Sequence, residues 1–478
     1  MLYTRFNIQL TGGKNSTYNK LKVLVLLVLC GIVNNSTAQV YSKEDSLFIR
    51  GLFDTALTKA ECYDNLGYLC KKIGHRISGS PQAAKAVDYT YGVMQKSGYD
   101  SVFKQDVMVP HWVRGDMEKG TVIIDGKKEK VNIKALGGSI ATPKKGITAE
   151  VIEVQTFDEL KNLGKDKIQG KIVFFNRPMQ PTNINTFVSY GGCVDQRWQG
   201  PSEAAKYGAV ATIVRSVSLA TDDYPHTGSM RYVDSIAKVP CAAVSTIKAD
   251  YISAQLKAGK KVVFKLQLGC VTLADEPSHN VVGQLKGKTS NFIICGGHLD
   301  SWDVGEGAHD DGAGCVQSIE ALRLLKMVGY KPNNNLRSVM FMNEENGLRG
   351  GTKYAEQADK NHEKHLFALE SDEGGFTPRG FHIEDNKDSV VAWIQKFRPL
   401  LEPYGLFNIE QGGGGADVSR LRPSGTVCMN FFPDSQRYFD YHHADSDTFD
   451  KVNKRELVLG AASMAALIYL IDKYYPTN

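Results

Sequence analysis

Cysteine is scarce and scattered, 9 in 478 residues, so no dense disulfide framework staples a small scaffold. On one helix Cys62 and Cys70 would stand about 12 Å apart along the axis, too far for a bridge, and Cys295 and Cys315 read as small buried hydrophobes. Charge of one sign is equally thin. Lys plus Arg number 57 against 52 Asp plus Glu, a net +5, and no basic cluster alternates with aromatics, which excludes nucleic acid as an expected partner. Long apolar runs are missing beyond residues 23–33, so no permanent membrane anchor is expected. That run follows Lys22 and precedes Ser36 and Ala38 at the small-residue spacing of a signal-peptidase site. Residues 1–38 therefore read as a signal peptide, with the mature chain starting near Gln39 and the product secreted or periplasmic. Leu29 before Cys30 is not the small residue that lipoprotein processing wants. The N-glycosylation acceptors Asn15, Asn34 and Asn35 all precede the cleavage point, which leaves the mature chain none.

Present instead are five short segments rich in histidine and carboxylate. They are G-G-H-L-D-S at 296–301, G-A-H-D-D-G-A-G at 307–314, M-N-E-E-N-G at 342–347, E-S-D-E-G-G at 370–375 and Y-H-H-A-D-S-D-T at 441–448. Apolar runs at 292–295, 338–342 and 366–369 predict buried strands. Between the first two, Cys315, Ile319, Leu322, Leu325 and Val328 form the apolar stripe of a helix. The β-α-β order predicts a parallel sheet, and ligands of open parallel sheets gather beyond the carboxyl ends of the strands. His298, Glu344, Glu345 and Asp372 each follow such a strand, and Asp310 sits in a loop that can fold over the same edge.

Singly, each residue has a plain explanation: Asp-Asp before a helix is an N-cap pair, and Glu-Glu before glycine is a solvated turn. Together, imidazoles and carboxylates without thiolates suit zinc at a hydrolytic centre, where one carboxylate can bridge two ions roughly 3.5–4 Å apart. With Asp310 as bridge, a histidine and a carboxylate for each ion use up His298, Asp372, Glu345 and His443. Glu344 is left over, placed to act as general base.

These motifs resemble the co-catalytic di-zinc exopeptidase family that includes secreted aminopeptidases and carboxypeptidase Q. The resemblance extends upstream to R-I-S-G-S at 76–80 and so spans nearly the whole mature chain. It implies an α/β fold with a mixed, largely parallel central sheet flanked by helices. It also implies two zinc ions per chain, one on His298 and Asp372, the other on Glu345 and His443, with Asp310 between them. Glu344 is then the catalytic base for a zinc-bridging hydroxide, and Asp300 orients His298 through its other ring nitrogen. The resemblance further implies a cis peptide between Asp310 and Asp311, His443 rather than His442 as ligand because of the step to Asp447, and a homodimer.

Elsewhere the pattern from 43 to about 114 is helical, followed by a strand-rich middle with strands near 122–124, 149–154, 171–175 and 210–214. G-K-I-V-F-F-N-R-P from Gly170 and the helix from Ser202 resemble a protease-associated domain. The expected organisation is a discontinuous peptidase domain, 39–115 and 278–478, interrupted by that β-rich insert at 116–277. His309 reads as loop-exposed and His362 and His365 as a solvated helix face, while the glycines at 412–415 suit either close backbone approach to a ligand or an ordinary loop. The expected activity is hydrolysis of dipeptides or short peptides at a terminus, with the substrate-binding residues unassigned. The alternatives are a single-zinc glutaminyl cyclase-like enzyme and a non-catalytic receptor-like protein of the same fold.

Overall fold

Two eight-stranded sheets organise the chain in a computed structural model that describes residues 41–384 and 389–476. The signal-peptide reading lies outside the described residues. From Asp45 onward the chain is one compact unit.

The first sheet runs, in spatial order, Ser101–Val113, Val271–Leu285, Asn335–Phe341, Phe292–His298, His365–Glu370, Val427–Pro433, Pro378–Glu384 and Asn408–Gln411. Its four middle strands, from Asn335–Phe341 to Val427–Pro433, pair in parallel; Val271–Leu285 and Pro378–Glu384 join them antiparallel on either side, and Asn408–Gln411 pairs in parallel with Pro378–Glu384. Every residue of Phe292–His298, Asn335–Phe341 and His365–Glu370 is buried. Strands covered on both faces read as continuous apolar runs, which is how they showed in the sequence. The crossover from Phe292–His298 to Asn335–Phe341 is the helix Ala313–Met327, and it packs against Lys454–Tyr474, where Gln317 Nε2 donates to the Leu457 carbonyl at 3.1 Å.

The expectation that no segment after residues 23–33 reaches membrane-spanning length needs correction. Lys454–Tyr474 is 21 residues long and apolar enough, but 83% of its most apolar window is buried inside the fold. Burying a Leu or Ile side chain is worth about 1.5–3 kcal/mol, and here that burial is supplied by the protein core. A second correction concerns the helical reading of 43–114. Helices end at Lys96, and Ser101–Val113 is a 13-residue strand paired with Val271–Leu285. Its period is two: Val107 and Val109 are buried and Met108 between them is exposed.

The second sheet contains strands from Glu118–Ile124 to Val262–Leu268, ordered Lys127–Val131, Glu118–Ile124, Val262–Leu268, Ile147–Val154, Ile172–Phe175, Ala211–Arg215, Cys241–Val244 and Ile133–Ala135. All eight cysteines from Cys62 to Cys428 are buried and free.

His365 is not on a solvated helix face. It opens the strand His365–Glu370, stacks on Phe292 at 5.2 Å and meets the Tyr354 hydroxyl at 3.0 Å; His362 occupies an exposed turn with φ 55°. Burial pulls the His365 imidazole down to about 4, with the Arg337 cation adding to the effect. A depressed folded value means that its contribution to stability is present above the ordinary 6.5 and lost as pH falls through 4. His365→Gln should therefore flatten the fall of unfolding free energy between these pH values by up to about 3 kcal/mol, at about 1.4 kcal/mol per pKa unit. Denaturant titrations at both ends of the window measure it, and identical slopes for variant and parent would refute the assignment.

Candidate metal centre

Strand ends and the loops after them deliver the site. His298 is the last residue of its strand, the turn holding Glu344 and Glu345 follows Asn335–Phe341, and Asp372 lies just beyond His365–Glu370. Asp310 falls in the wide turn Ala308–Gly312 that leads into Ala313–Met327, and His443 follows the short helix Tyr438–Tyr441.

The fold brings the five ligand candidates and Glu344 to one cleft of about 610 Å³. His298 Nε2 stands 3.2 Å from Asp310 Oδ1 and 3.2 Å from Asp372 Oδ1. His443 Nε2 stands 3.2 Å from Asp310 Oδ2 and 3.1 Å from Glu345 Oε2. The two oxygens of Asp310 thus face two separate pairs, each of one imidazole and one carboxylate. His442 stacks on His443 at 3.5 Å, but its Nε2 is 3.8 Å from Asp310 Oδ2 and outside the pair. A larger groove of about 780 Å³ between the Ser101–Val113 edge and the helix Arg349–Lys360 is not lined by the cluster, so volume alone does not mark the chemistry.

Backbone clamps hold this geometry. Asp447 accepts the N–H groups of His309 at 2.8 Å and Asp310 at 3.2 Å, and the Asp310–Asp311 peptide is cis. Asp311 accepts the His298 N–H with one oxygen and caps Gly314 N with the other, both at 2.9 Å. Arg76, from the upstream R-I-S-G-S motif, is buried and donates to the carbonyls of Leu299, Glu306 and Gly307. His443 sits at φ 65°, a left-handed conformation disfavoured for any side-chain residue. The second sheet's chain supports it there: Thr227 N donates to the His443 carbonyl at 2.9 Å, and His226 Nδ1 meets the His442 carbonyl at 2.6 Å.

Two expectations change. The Asp300 carboxylate is not the group on His298 Nδ1: that nitrogen meets the Asp300 backbone carbonyl at 3.0 Å, while the carboxylate Oδ1 is 3.8 Å away and accepts the N–H groups of Asn343 and Glu344 at 2.7 and 3.0 Å. A turn with Asn343 at φ 75° needs its amides capped, and Asp300 is the capping acceptor. His309 is fully buried, not loop-exposed; it stacks on Phe376 at 4.1 Å, accepts from Gly375 N, and burial pulls its pKa down to about 3. Gly412, Gly414 and Gly415 pack against His382, Cys428 and Glu370, Gly413 faces open space, and none of the four lines the cleft.

Sequence reasoning missed three residues. Asp311 was visible only as half of an ordinary cap pair and of the expected cis peptide, and Asp447 only as a spacing marker. Arg197, which lines the cleft from the strand-rich middle, carried no signal at all.

The charge balance tests whether a cation fits. Burial, with Asp372 and Glu345 adding to it, pushes the Glu344 carboxyl well up; burial and Asp310 push Glu345 up to about 7, and Asp372 is also raised by burial. Against the same burial, His298 is held up chiefly by Asp372 and His443 chiefly by Glu345. Asp310 Oδ2 and Asp372 Oδ1 are buried without a hydrogen-bond donor. Like charges about 4 Å apart cost about 4 kcal/mol at an effective dielectric near 20. Several such pairs would consume a domain's whole stability of about 5–15 kcal/mol. The group must take up protons or a multivalent cation, and the nitrogen and oxygen donor set suits zinc.

The sequence model of peptidase family M28 matches residues 280–468. Carboxypeptidase Q of Mus musculus is 35% identical over 411 residues, 86% of this chain and 85% of that protein. A peptidase M28 precursor from Shewanella amazonensis SB2B superposes with a TM-score of 0.85 at 34% identity, covering 90% of this chain and 96% of that one. BSAP, a zinc aminopeptidase from Bacillus subtilis, has a TM-score of 0.60 at 20% identity over 86% of this chain and 93% of its own, a likeness of fold.

Protons and zinc compete for the same ligands. Because Glu345 titrates near 7 in the metal-free fold, above its ordinary 4.5, its contribution to metal-free stability is present below pH 4.5 and lost as pH rises through 7. Zinc should therefore raise the melting temperature more at pH 7.5 than at pH 5 in calorimetric scans of chelated and reloaded protein. A zinc shift independent of pH would place the metal elsewhere.

Proposed function

The chain belongs to peptidase family M28 and is a metallopeptidase, and from that premise we propose that it is an exported di-zinc exopeptidase cleaving dipeptides or short peptides at a terminus. The observation that carries the reading is the division of Asp310, one carboxylate oxygen toward His298 and Asp372 and the other toward His443 and Glu345. Each pair would hold one zinc, with Asp310 shared. Zinc bound there supplies a lowered pKa for water and polarisation of the scissile carbonyl.

The remaining chemistry belongs to side chains. Glu344 belongs to neither pair, yet it lines the same cleft, and Asp300 fixes its backbone N–H at 3.0 Å. Burial, which raises its pKa, suits it to take a proton from the attacking water and return that proton to the amine nitrogen as the C–N bond breaks. The water oxygen stays on the carbonyl carbon, so one water is consumed per bond cleaved. Trp302 N donates to Glu345 Oε1 at 3.1 Å, which fixes that carboxylate so that its other oxygen faces His443.

The second sheet reads as the inserted protease-associated domain, and the clamp from His226 and Thr227 onto residues 442–443 supports giving it a part in shaping the site. The leader reading of residues 1–38 supports action outside the cytoplasm.

Glu344→Gln should keep two zinc ions per chain by elemental analysis while kcat on a dipeptide falls by about 10²–10⁴-fold. Near-normal turnover in that variant would remove Glu344 as base. One ion per chain in the parent, with pyroglutamate formation from an N-terminal glutamine, would favour the cyclase reading instead.

A further inference from the structure

At one end of the second sheet three neighbouring strands, Lys127–Val131, Glu118–Ile124 and Val262–Leu268, are covered on one face only. Their inner residues, among them Val122, Val131, Phe264 and Leu266, belong to a core cluster. The opposite face presents Lys119, Lys128, Lys130 and Lys265 around Ile123 and Val263, all of them exposed or half-buried. Lys130, Thr121 and Lys265 lie side by side in one row across the strands, and Lys128, Ile123 and Val263 in the next. From Ile147–Val154 onward the same face is covered, where Ile152, Val173 and Phe175 pack into a second cluster.

Charge is sorted between the two faces. The three strands carry two carboxylates, and both lie on the inner side: Glu118 meets Arg114 at 3.1 Å and Glu129 meets Lys248 at 2.5 Å. Glu150, on the next strand, shares the outer face but is taken by Lys171 at 2.7 Å. None of the four outer lysines has an ion pair among the described residues. Lysine on an edge strand discourages pairing with another chain. That explanation reaches Lys128 and Lys130 but not Lys119 and Lys265, whose strands are paired on both sides. Ammonium groups two strands apart stand about 10 Å from each other, close to one Debye length at physiological salt. They repel in the free protein, and an anionic surface relieves that repulsion.

We propose that this face is a peripheral docking surface for a membrane bearing anionic lipid headgroups. A pleated sheet face is broad and shallow, and these residues line neither the metal-centre cleft nor the groove of about 780 Å³. A flat array of cations matches a flat array of anions. A second copy of this chain would bring lysine against lysine, and a nucleic acid would find no aromatic ring on the face to stack its bases. Lysine stems lie along Ile123 and Val263 while their ammonium groups reach outward, the arrangement suited to a headgroup layer. Docking of this kind is reversible and needs no spanning helix. It is also independent of the chemistry in the cleft.

The test is co-sedimentation of the zinc-loaded full chain, freed of excess metal, with vesicles of equal phosphatidylglycerol and phosphatidylcholine or of phosphatidylcholine alone. Each lysine near an anionic leaflet contributes about fivefold, so partition at low salt should favour the anionic vesicles by about 10²–10³-fold. Molar sodium chloride, with a screening length of about 3 Å, should abolish the preference. Lys119→Gln, Lys128→Gln, Lys130→Gln and Lys265→Gln together should reduce binding to the neutral-vesicle level, each alone should cost about fivefold, and the four Lys→Arg changes should keep it. Removing the same charge elsewhere, by Lys85→Gln, Lys96→Gln, Lys331→Gln and Lys360→Gln on exposed positions of the first-sheet half, should leave binding within about threefold, since those groups lie beyond a Debye length of the docked face. Thermal melts should coincide for all these proteins, which separates lost docking from lost folding, and the single changes stay readable if a combined variant is less stable. Residues 1–38 are common to every arm, so any pull from their apolar run shows equally on neutral vesicles. Equal partition to the two vesicles would overturn the proposal, as would full binding by the combined Gln variant or an equal loss from the remote one. Capture of the parent by heparin or an oligonucleotide but not by anionic vesicles would assign the face to a soluble polyanion instead.

Discussion

Asp310 offers one carboxylate oxygen to each of two imidazole–carboxylate pairs, and much of the surrounding structure serves to hold it there. It lies between a strand and a helix, where a loop would ordinarily relax. Asp447 fixes the loop backbone from below, Arg76 threads the carbonyls of the preceding turn, and Asp311 ties the head of the helix to the end of the strand that carries His298. Each removes a freedom by which Asp310 could turn away from its neighbours, and Asp311 also stands within 4.8 Å of His298 and Asp372. Charge-assisted hydrogen bonds to backbone amides are about twice as strong as neutral ones. Using carboxylates as the clamps therefore gives rigidity where repulsion among ligands would otherwise open the site.

The second sheet is more than an appendage to this arrangement. The segment Thr227 and His226 holds the carbonyls of His443 and His442, so a ligand candidate on the last metal-bearing loop is positioned by chain two hundred residues earlier. Arg114 pairs with Asp303, Trp112 meets Trp302 edge to face at 6.2 Å, and Trp302 lies against Gly137, where a Cβ would collide with its ring. Trp302 in turn donates its backbone N–H to Glu345. A path of packed rings and hydrogen bonds thus joins the two sheets at the cleft, which makes the wall opposite the carboxylates part of the site.

The strands that carry the site were legible because burial on both faces leaves a plain apolar run ended by polar residues, and His298, Glu344, Glu345 and Asp372 follow such strands where parallel-sheet topology puts ligands. Ser101–Val113 was not: Pro110 and the charges at Lys104 and Asp106 hide an edge strand whose alternation shows only once Val271–Leu285 is beside it. His309 and His365 misled for a related reason. Polar neighbours in sequence suggested solvent, but their rings are enclosed by Phe376 and Tyr441 in one case and by Phe292 and Tyr354 in the other, all brought in by tertiary contacts. Asp300 was recognised as a supporting carboxylate, but whether its backbone or its side chain faces His298 is decided by a turn geometry that no spacing encodes.

Arg197 shows the limit most clearly. A sequence can display a charge but cannot display that the charge is buried beside a tyrosine hydroxyl, a carbonyl and an imidazole, with no carboxylate among the described residues. Once the fold is known, the cleft has carboxylates around Asp310 and, on the far side of the His443 ring, a guanidinium contributed by the chain of the other sheet.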